Sequence, residues 1–165
     1  MRKFYLIGGP MGVGKTTVCQ ILKRKLDRCV FLDGDWCWDM DPFIVNAQTK
    51  ALVLDNICDI LNRFLTCSVF ENVVFCWVLH QQDILDTLLA RIDSRGWKVV
   101  CISLTASPQT LTERLERDIA AGRRQADVIP RSLARLPLYA RLNTIKIDTS
   151  HRTAKETAAE FAALE

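Results

Sequence analysis

Short apolar runs alternate with longer amphipathic segments along the whole chain. Five runs rich in β-branched and aromatic residues predict strands, and the first four are almost continuously apolar, as in strands covered on both faces. They are Phe4–Ile7, Val30–Leu32, Val73–Val78, Val99–Leu104 and Thr144–Ile147. Because strands and helices alternate, the pattern predicts an α/β fold with a parallel sheet, helices on both faces and right-handed crossovers.

Apolar residues at helical spacing predict the connecting helices, and capping residues suggest where several of them begin or end. A Ser-Pro pair at position 107 and a capping box from Thr153 to Glu156 are typical of helix starts. The predicted helices cover about 15–26, about 46–66, Asp83–Arg95 with its end at Gly96, about 107–122, and the chain from Thr153 onward.

Composition favours one compact globular domain over residues 1–165. The chain is 49% hydrophobic and 25% charged, and 165 residues are enough to bury a core without a metal or disulfides. With 22 basic and 19 acidic residues, the surface is too balanced to favour nucleic acid as a partner. We therefore expect a small-molecule partner, and composition says nothing about the oligomeric state.

The cysteines and the apolar runs indicate a cytoplasmic protein with no membrane partner. Seven cysteines are an odd number, include no C-x-x-C pair and mostly lie in apolar stretches, as expected of small buried residues in a reducing compartment. The longest apolar run, Val73–Leu79, is far shorter than the roughly 20 residues that cross a bilayer. We expect neither a disulfide framework nor a zinc site.

The segment from Gly9 to Thr16 matches the phosphate-loop pattern G-x-x-x-x-G-K-[ST] between a predicted strand and a predicted helix. Its backbone N–H groups and the helix N-terminus can surround phosphate oxygens, with Lys15 at the β- and γ-phosphates and Thr16 on Mg²⁺. A glycine-rich turn before an amphipathic helix is the alternative, which the complete match disfavours. The expected nucleotide contacts are Gly9, Met11, Gly12, Val13, Gly14, Lys15, Thr16 and Thr17.

A second motif, Leu32-Asp33-Gly34-Asp35, ends the second predicted strand, where open α/β sheets place their ligands. Two carboxylates that are separated by one residue point the same way from an extended backbone. Near a bound Mg²⁺-nucleotide, one can hold a metal-bound water while the other accepts a proton from an attacking hydroxyl. An Asp-Gly turn with an Asp N-cap is the alternative, and the phosphate loop upstream favours the chemical interpretation.

Together these motifs resemble the small P-loop kinases over nearly the whole chain. Gluconate kinase and adenylylsulfate kinase carry the same Leu-Asp-Gly-Asp signature, and shikimate kinase carries a related Asp-x-Asp. The resemblance implies a three-layer α/β/α fold, a five-stranded parallel sheet in the order 2-3-1-4-5, Mg²⁺-ATP as donor and a mobile arginine-bearing lid. It assigns Asp33 with Thr16 to the metal and Asp35 to the acceptor proton, and it does not name the acceptor.

The lid is expected over about 117–131, where Arg117, Arg123 and Arg124 could clamp phosphates and spread transition-state charge. Their spacing departs from the gluconate-kinase form, which leaves the individual roles open. Arginine near a helix C-terminus is also favourable for dipole reasons alone. Arg131 and Arg135 are expected to be solvated helix residues, although lid closure could recruit one.

The acceptor side is expected over about 35–67. Four aspartates and no basic residue lie between Val30 and Thr49, so an anionic acceptor fits this segment poorly. Trp36, Trp38 and Phe43 either stack on a flat or apolar neutral acceptor or pack a helix on the sheet. Farther along, Trp77 could be core or pocket wall, and His80 is a weak acceptor-site candidate beside the alternative of an ordinary loop histidine.

The sequence therefore predicts an enzyme that moves the γ-phosphoryl group of Mg²⁺-ATP to a hydroxyl of a small, neutral acceptor. The catalytic candidates are Lys15, Asp35, Arg117, Arg123 and Arg124. Three alternatives stay open: a nucleotide kinase, a non-catalytic ATP-binding switch, and phosphorylation of a nucleic-acid 5′-hydroxyl. The paired aspartates weigh against the switch, and the absence of a basic stripe weighs against nucleic acid.

Overall fold

The five strands form one parallel sheet in the spatial order β2-β3-β1-β4-β5, as the sequence predicted. The computed structural model describes residues 1–164. The strands are β1 (Lys3–Gly8), β2 (Cys29–Asp33), β3 (Asn72–Cys76), β4 (Lys98–Thr105) and β5 (Ile145–Asp148). The α-helices are α1 (Lys15–Lys25), α2 (Ala47–Thr66), α3 (Gln82–Arg91), α4 (Pro108–Ala120), α5 (Val128–Arg135) and α6 (Ala154–Ala163), with short 3-10 helices at Gly34–Trp38 and Leu136–Arg141.

Alternation along the strands divides the core between the two faces of the sheet. In β1, Tyr5 and Ile7 pack with α1, α4 and α6, while Phe4 and Leu6 pack with α2 and α3. All four side chains are essentially inaccessible to solvent. This three-layer arrangement places the carboxyl ends of β1, β2 and β3 at one edge, where the phosphate loop and the paired aspartates emerge together.

Two predicted helix starts are confirmed by their hydrogen bonds. The Ser107 hydroxyl accepts the N–H of Thr110, and Pro108 occupies the first turn of α4. The Thr153 hydroxyl accepts the N–H of Glu156, whose carboxylate accepts the N–H of Thr153 in return.

The helix predicted to run to Arg95 instead ends at Arg91. Asn62, on α2, donates its side-chain amide to the carbonyl of Arg91 and accepts the N–H of Asp93. These two bonds cap the end of α3, and the extended Ile92 then enters the core. A residue of a neighbouring helix therefore ends α3 four residues before the predicted boundary.

The third strand was predicted through Val78 and ends at Cys76. Beyond it the Val78 carbonyl accepts the N–H of Gly9 and the hydroxyl of Tyr139, the latter at 2.6 Å. These bonds tie the segment after β3 to the phosphate loop and to the second 3-10 helix. Trp77 and Val78 thereby become part of a cleft wall.

Two hydrogen bonds hold the segment from α5 through the second 3-10 helix over the carboxyl edge of the sheet. Ser132 is fully buried and donates its hydroxyl to the carbonyl of Met11 at 2.6 Å. Tyr139 makes the bond to Val78 from the other end of this segment. Within residues 1–164, no helix combines the length and the apolar character that crossing a membrane requires.

Candidate active site

The phosphate loop is held in shape by the side chain and backbone of its own residues. Lys15 donates its ammonium to the carbonyls of Gly9 and Pro10, at 2.8 and 3.0 Å. Gly12 has a φ of +84°, and a Cβ there would lie 2.5 Å from Cδ2 of Leu115. A side chain at this position would collide with α4 as well as strain the backbone. Burial lowers the pKa of Lys15, because the charged form loses hydration.

A cleft of about 390 Å³, here called the phosphate cleft, lies beside the loop. Most of the predicted site residues line it. It brings together Met11, Gly12, Gly14, Lys15, Thr16, Thr17, Asp35, Arg117, Arg123 and Arg124, joined by Arg114 and Asp118. Two predicted nucleotide contacts, Gly9 and Val13, do not line this cleft. Gly9 packs closely against β4, since a Cβ on it would lie 2.9 Å from the Leu104 carbonyl oxygen, and Val13 is buried and borders a neighbouring cleft.

Thr16 lines the phosphate cleft and contacts Asp33, which is buried and does not itself line the cleft. The Thr16 hydroxyl donates to Oδ2 of Asp33 at 2.6 Å, across the gap between α1 and β2. The other oxygen, Oδ1, accepts the N–H of Asp35, so Asp33 also caps the short helix that follows. A hydroxyl and a carboxylate are oxygen ligands of the kind that Mg²⁺ takes, and this pair therefore fits a magnesium ion beside the phosphates.

Asp35 lies at the mouth of the cleft beside Lys15 and Arg124. Reduced solvation between the cleft walls raises the pKa of its carboxyl group, and the charge of Asp33 raises it further. Lys15, Arg124 and the side chain of Trp77 act in the opposite direction. Asp35 is thus a carboxylate with increased basicity, and it lines the phosphate cleft together with Lys15 and Arg124.

Trp77 forms one wall beside this carboxylate because Gly34 leaves it room. A Cβ on Gly34 would lie 2.6 Å from Cγ and 2.8 Å from Cδ1 of the indole. The glycine of the Leu-Asp-Gly-Asp motif is therefore required for close packing of Trp77 against the motif. The sequence left Trp77 as either a core residue or a pocket wall, and in the structure it lines a cleft.

We expect Gly34→Ala to displace Trp77 and to lower stability by about 1–3 kcal/mol, the usual effect of overpacking. Chemical denaturation measures the loss, and a double-mutant cycle identifies its source. In the Trp77→Ala background the same substitution should have little effect, because the colliding ring is gone. An equal loss in both backgrounds would show that the indole is not the cause.

The two arginines that follow α4 form ion pairs with the same carboxylate. Asp118 pairs with Arg123 at 2.9 Å and with Arg124 at 3.2 Å. Arg117 donates to the carbonyl of Glu113 and points into the same cleft. Arg123 is two-thirds exposed, so this group is held by surface ion pairs that are individually weak.

Arg114 differs from the other arginines because it is bound to the fold. Its guanidinium donates to the Val13 carbonyl and to both the hydroxyl and the carbonyl of Thr149, at 2.7 to 3.2 Å. These contacts connect α4 to the phosphate loop and to the loop after β5. Arg114 borders both the phosphate cleft and a smaller one of about 190 Å³, which Val13, Thr149 and Arg152 also line.

A second, larger cleft of about 800 Å³ adjoins the phosphate cleft at Asp35 and Arg124. Its aromatic wall consists of Trp36, Trp38, Phe43 and Trp77. Trp36 is 52% and Phe43 67% exposed, although the edge of Trp36 contacts Phe31 and Trp38 contacts Phe43. These rings therefore form a cleft wall and do not simply pack a helix on the sheet.

Three arginines also line this cleft, among them Arg124, which the sequence analysis placed in the lid. Arg124, Arg131 and Arg135 all line it, although residues 30–49 contain no basic residue. Arg131 is exposed, as expected of a solvated helix residue, whereas Arg135 is half-buried, and both border the cleft. Periodicity gives no signal for this placement, because it depends on how α5 is docked by Ser132.

His80 also lines the larger cleft, and its surroundings favour the neutral imidazole. Burial lowers the pKa of His80, and the nearby charge of Arg135 lowers it further. Its Nδ1 atom is buried without a hydrogen-bond partner among the described residues.

The family model described as AAA domain matches residues 6–129, more than half of the chain. The chain belongs to the AAA domain family. The match includes the phosphate loop, both aspartates and the arginines after α4. No curated protein matches the sequence at a significant level.

Solved structures share the fold of this AAA domain chain at low sequence identity. A tunicamycin resistance protein from Deinococcus radiodurans is 22% identical, with a TM-score of 0.65 over 99% of this chain and 95% of its own. A gluconokinase from Sinorhizobium meliloti 1021 is 17% identical, with a TM-score of 0.69 over 97% and 90%. An APS kinase from Mycobacterium tuberculosis, in complex with AMPPNP and APS, is 14% identical, with a TM-score of 0.64 over 98% and 95%. The likeness confirms the kinase-type fold that the sequence predicted.

Proposed function

We propose that this protein is a phosphotransferase that moves the γ-phosphoryl group of Mg²⁺-ATP to a hydroxyl group of a small acceptor. The observation that carries the proposal is the position of Asp35, which lines both the phosphate cleft and the larger aromatic cleft. A donor in the first cleft and an acceptor in the second would meet at this carboxylate. A nucleotide switch has no need of the second cleft or of a base at the junction.

In this proposal the loop backbone and Lys15 bind the β- and γ-phosphates, while Thr16 and Asp33 hold Mg²⁺. The metal, when bound, supplies charge neutralisation at the phosphates. The acceptor oxygen forms a bond to the γ-phosphorus as the bond to the β–γ bridging oxygen breaks, and ADP leaves. Asp35 accepts the hydroxyl proton, so the products are the phosphorylated acceptor, ADP and a proton taken up by the carboxylate.

The lid assignment is part of the proposal. We assign residues 117–131 to the lid, with Arg117, Arg123 and Arg124 facing the transferring phosphoryl group. Phosphate oxygens are a stronger partner for Arg123 and Arg124 than their exposed pairs with Asp118. The expectation of a neutral acceptor rests on residues 30–49, and the larger cleft is also lined by Arg124, Arg131 and Arg135.

We expect hydrogen exchange across residues 117–131 to slow when a non-hydrolysable ATP analogue binds with Mg²⁺, because the arginines gain an anionic partner. The backbone around Arg114 should be protected in both states, since its side chain is already fixed to Thr149 and Val13. Equal exchange of the 117–131 segment with and without the analogue would contradict the lid.

A thermal-shift screen tests the proposal and searches for the acceptor. The protein is saturated with the ATP analogue and Mg²⁺, and a panel of nucleosides, polyols, sugar acids, phenols and aminoglycosides is added. Compounds that raise the melting temperature further, by binding the native state, are then tested for phosphorylation with ATP. If the analogue itself does not stabilise the protein, the donor site is wrong.

A further inference from the structure

One carboxylate lies among the arginines of the phosphate cleft. Asp118 lines this cleft together with Arg117, Arg123 and Arg124. Its Oδ1 atom accepts a hydrogen bond from Nη2 of Arg123 at 2.9 Å, and its Oδ2 atom accepts one from Nε of Arg124 at 3.2 Å. Both oxygens of the carboxylate are therefore used on the two guanidinium groups that the donor phosphates would also contact.

Asp118 lies where a negative charge is unfavourable for its own helix. It is in the last turn of α4, beside the carbonyl end of the helix dipole. Its side chain is only 26% exposed, so the charge is also partly withdrawn from water. A carboxylate in such a place needs compensating cations, and Arg123 and Arg124 supply them. The helix itself gains nothing from this charge, which directs attention to what the two ion pairs do.

The guanidinium of Arg124 lies close enough to the phosphate loop to act on the charges there. Burial lowers the pKa of Lys15, and the positive charge of Arg124 lowers it further. Burial raises the pKa of Asp35, and the same charge of Arg124 opposes that rise. A phosphate group beside Lys15 would therefore attract Arg124. An oxyanion that takes the N–H groups now bonded to Asp118 has to displace the carboxylate, because both anions need the same donors.

We propose that Asp118 is a latch that competes with the donor phosphates for Arg123 and Arg124. This inference rests on the proposed function, which assigns these arginines to the transferring phosphoryl group. In the nucleotide-free protein, the carboxylate holds the segment after α4 against the end of that helix. When Mg²⁺-ATP binds, the arginines exchange the carboxylate for phosphate oxygens of higher charge, and the pairs with Asp118 break. Breaking these pairs lowers the donor affinity, and their return favours release of the nucleotide.

The donor affinity of Asp118→Asn measures this competition without requiring turnover. Asparagine keeps the size of the side chain and removes its charge. By titration calorimetry, we expect affinity for the non-hydrolysable ATP analogue with Mg²⁺ to rise by about 2- to 10-fold, as for the loss of two exposed ion pairs. Glu116→Gln is the matched control and should change nothing, because Glu116 is exposed on the same helix and has no ion pair among residues 1–164.

A double-mutant cycle separates the latch from a general effect of charge on anion binding. In protein that carries both Arg123→Ala and Arg124→Ala, Asp118→Asn should no longer raise the affinity, because the groups for which it competes are gone. Amide hydrogen exchange gives an independent readout. Without nucleotide, residues 117–131 should exchange faster in Asp118→Asn than in wild type, because the latch is open. With the analogue bound, the two proteins should exchange alike.

The latch is overturned if Asp118→Asn binds the analogue no more tightly than wild type, if Glu116→Gln gains as much, if the gain persists without the two arginines, or if exchange of the nucleotide-free protein is unchanged. If the analogue does not bind wild type, the donor site and the latch are both wrong. Failure of phosphoryl transfer alone would overturn the kinase function and leave a latch measured by binding and exchange. Loss of the latch in a protein that still transfers phosphate would overturn only the role of Asp118.

Discussion

Replacing Lys15 with alanine is expected to lower phosphoryl transfer by at least about 10²- to 10³-fold, the usual cost of removing one group that stabilises transition-state charge. The Lys15 ammonium is held beside the loop by the carbonyls of Gly9 and Pro10, in the cleft that would hold the phosphates. Burial lowers its pKa, and the carboxylates of Asp33 and Asp35 partly oppose this effect. Without the Lys15 side chain, no cation of helix α1 would lie beside the β- and γ-phosphates.

Affinity for Mg²⁺-ATP and single-turnover transfer measure the effect of Lys15→Ala. Lys25→Ala is the matched control, because Lys25 is an exposed residue at the other end of the same helix. Circular dichroism of both variants checks that the fold is intact. Unchanged donor affinity and turnover in folded Lys15→Ala would contradict the assignment of this loop to the donor.

Asp35→Asn is expected to lower kcat by about 10²- to 10⁴-fold with ATP affinity close to wild type, because the amide cannot accept the hydroxyl proton. Asp33→Asn should instead weaken the Mg²⁺ dependence of donor binding, since Oδ2 of Asp33 contacts the Thr16 hydroxyl. Donor affinity at several Mg²⁺ concentrations and single-turnover transfer separate the two roles. Loss of transfer with normal donor binding in Asp33→Asn, and the reverse in Asp35→Asn, would mean that the roles are exchanged.

Loss of activity in Asp35→Asn should not come from unfolding. The pKa of Asp35 is raised in the folded protein, so its ionisation lowers stability as the pH rises through that pKa. The neutral asparagine avoids this cost at pH 7, and the variant should unfold at a temperature no lower than wild type. The advantage should disappear once the pH falls below about 3.9, the ordinary value for aspartate, where both states of the wild type are protonated.

The sequence predicted the layers and the residues of the phosphate loop, and its resemblance to small P-loop kinases implied the sheet order. Strand and helix periodicity predict the layers, and a phosphate loop has a fixed spacing because its backbone must surround a phosphate. The same holds for the start of α4 at Ser107 and that of α6 at Thr153, where the capping partners lie three residues away. Interactions of this range leave a direct pattern in the sequence.

The parts that the sequence did not predict depend on contacts between distant residues. Helix α3 ends early because Asn62 caps it from α2, 29 positions away from Arg91. Arg135 lines the larger cleft because the bond from Ser132 to Met11, 121 positions away, places α5 there. Neither contact has a local signature, so the charge of the acceptor wall could not be derived from residues 30–49 alone.

The fate of the γ-phosphate tests the central claim most directly. Protein is incubated with Mg²⁺ and ATP labelled at the γ-phosphorus, together with the stabilising compounds from the thermal-shift screen, and the labelled products are separated. We expect label in a phosphorylated small molecule with wild type, and about 10²- to 10⁴-fold less with Asp35→Asn. Label found only in inorganic phosphate, at equal rates in both proteins, would contradict a phosphotransferase with Asp35 at the junction of its two clefts.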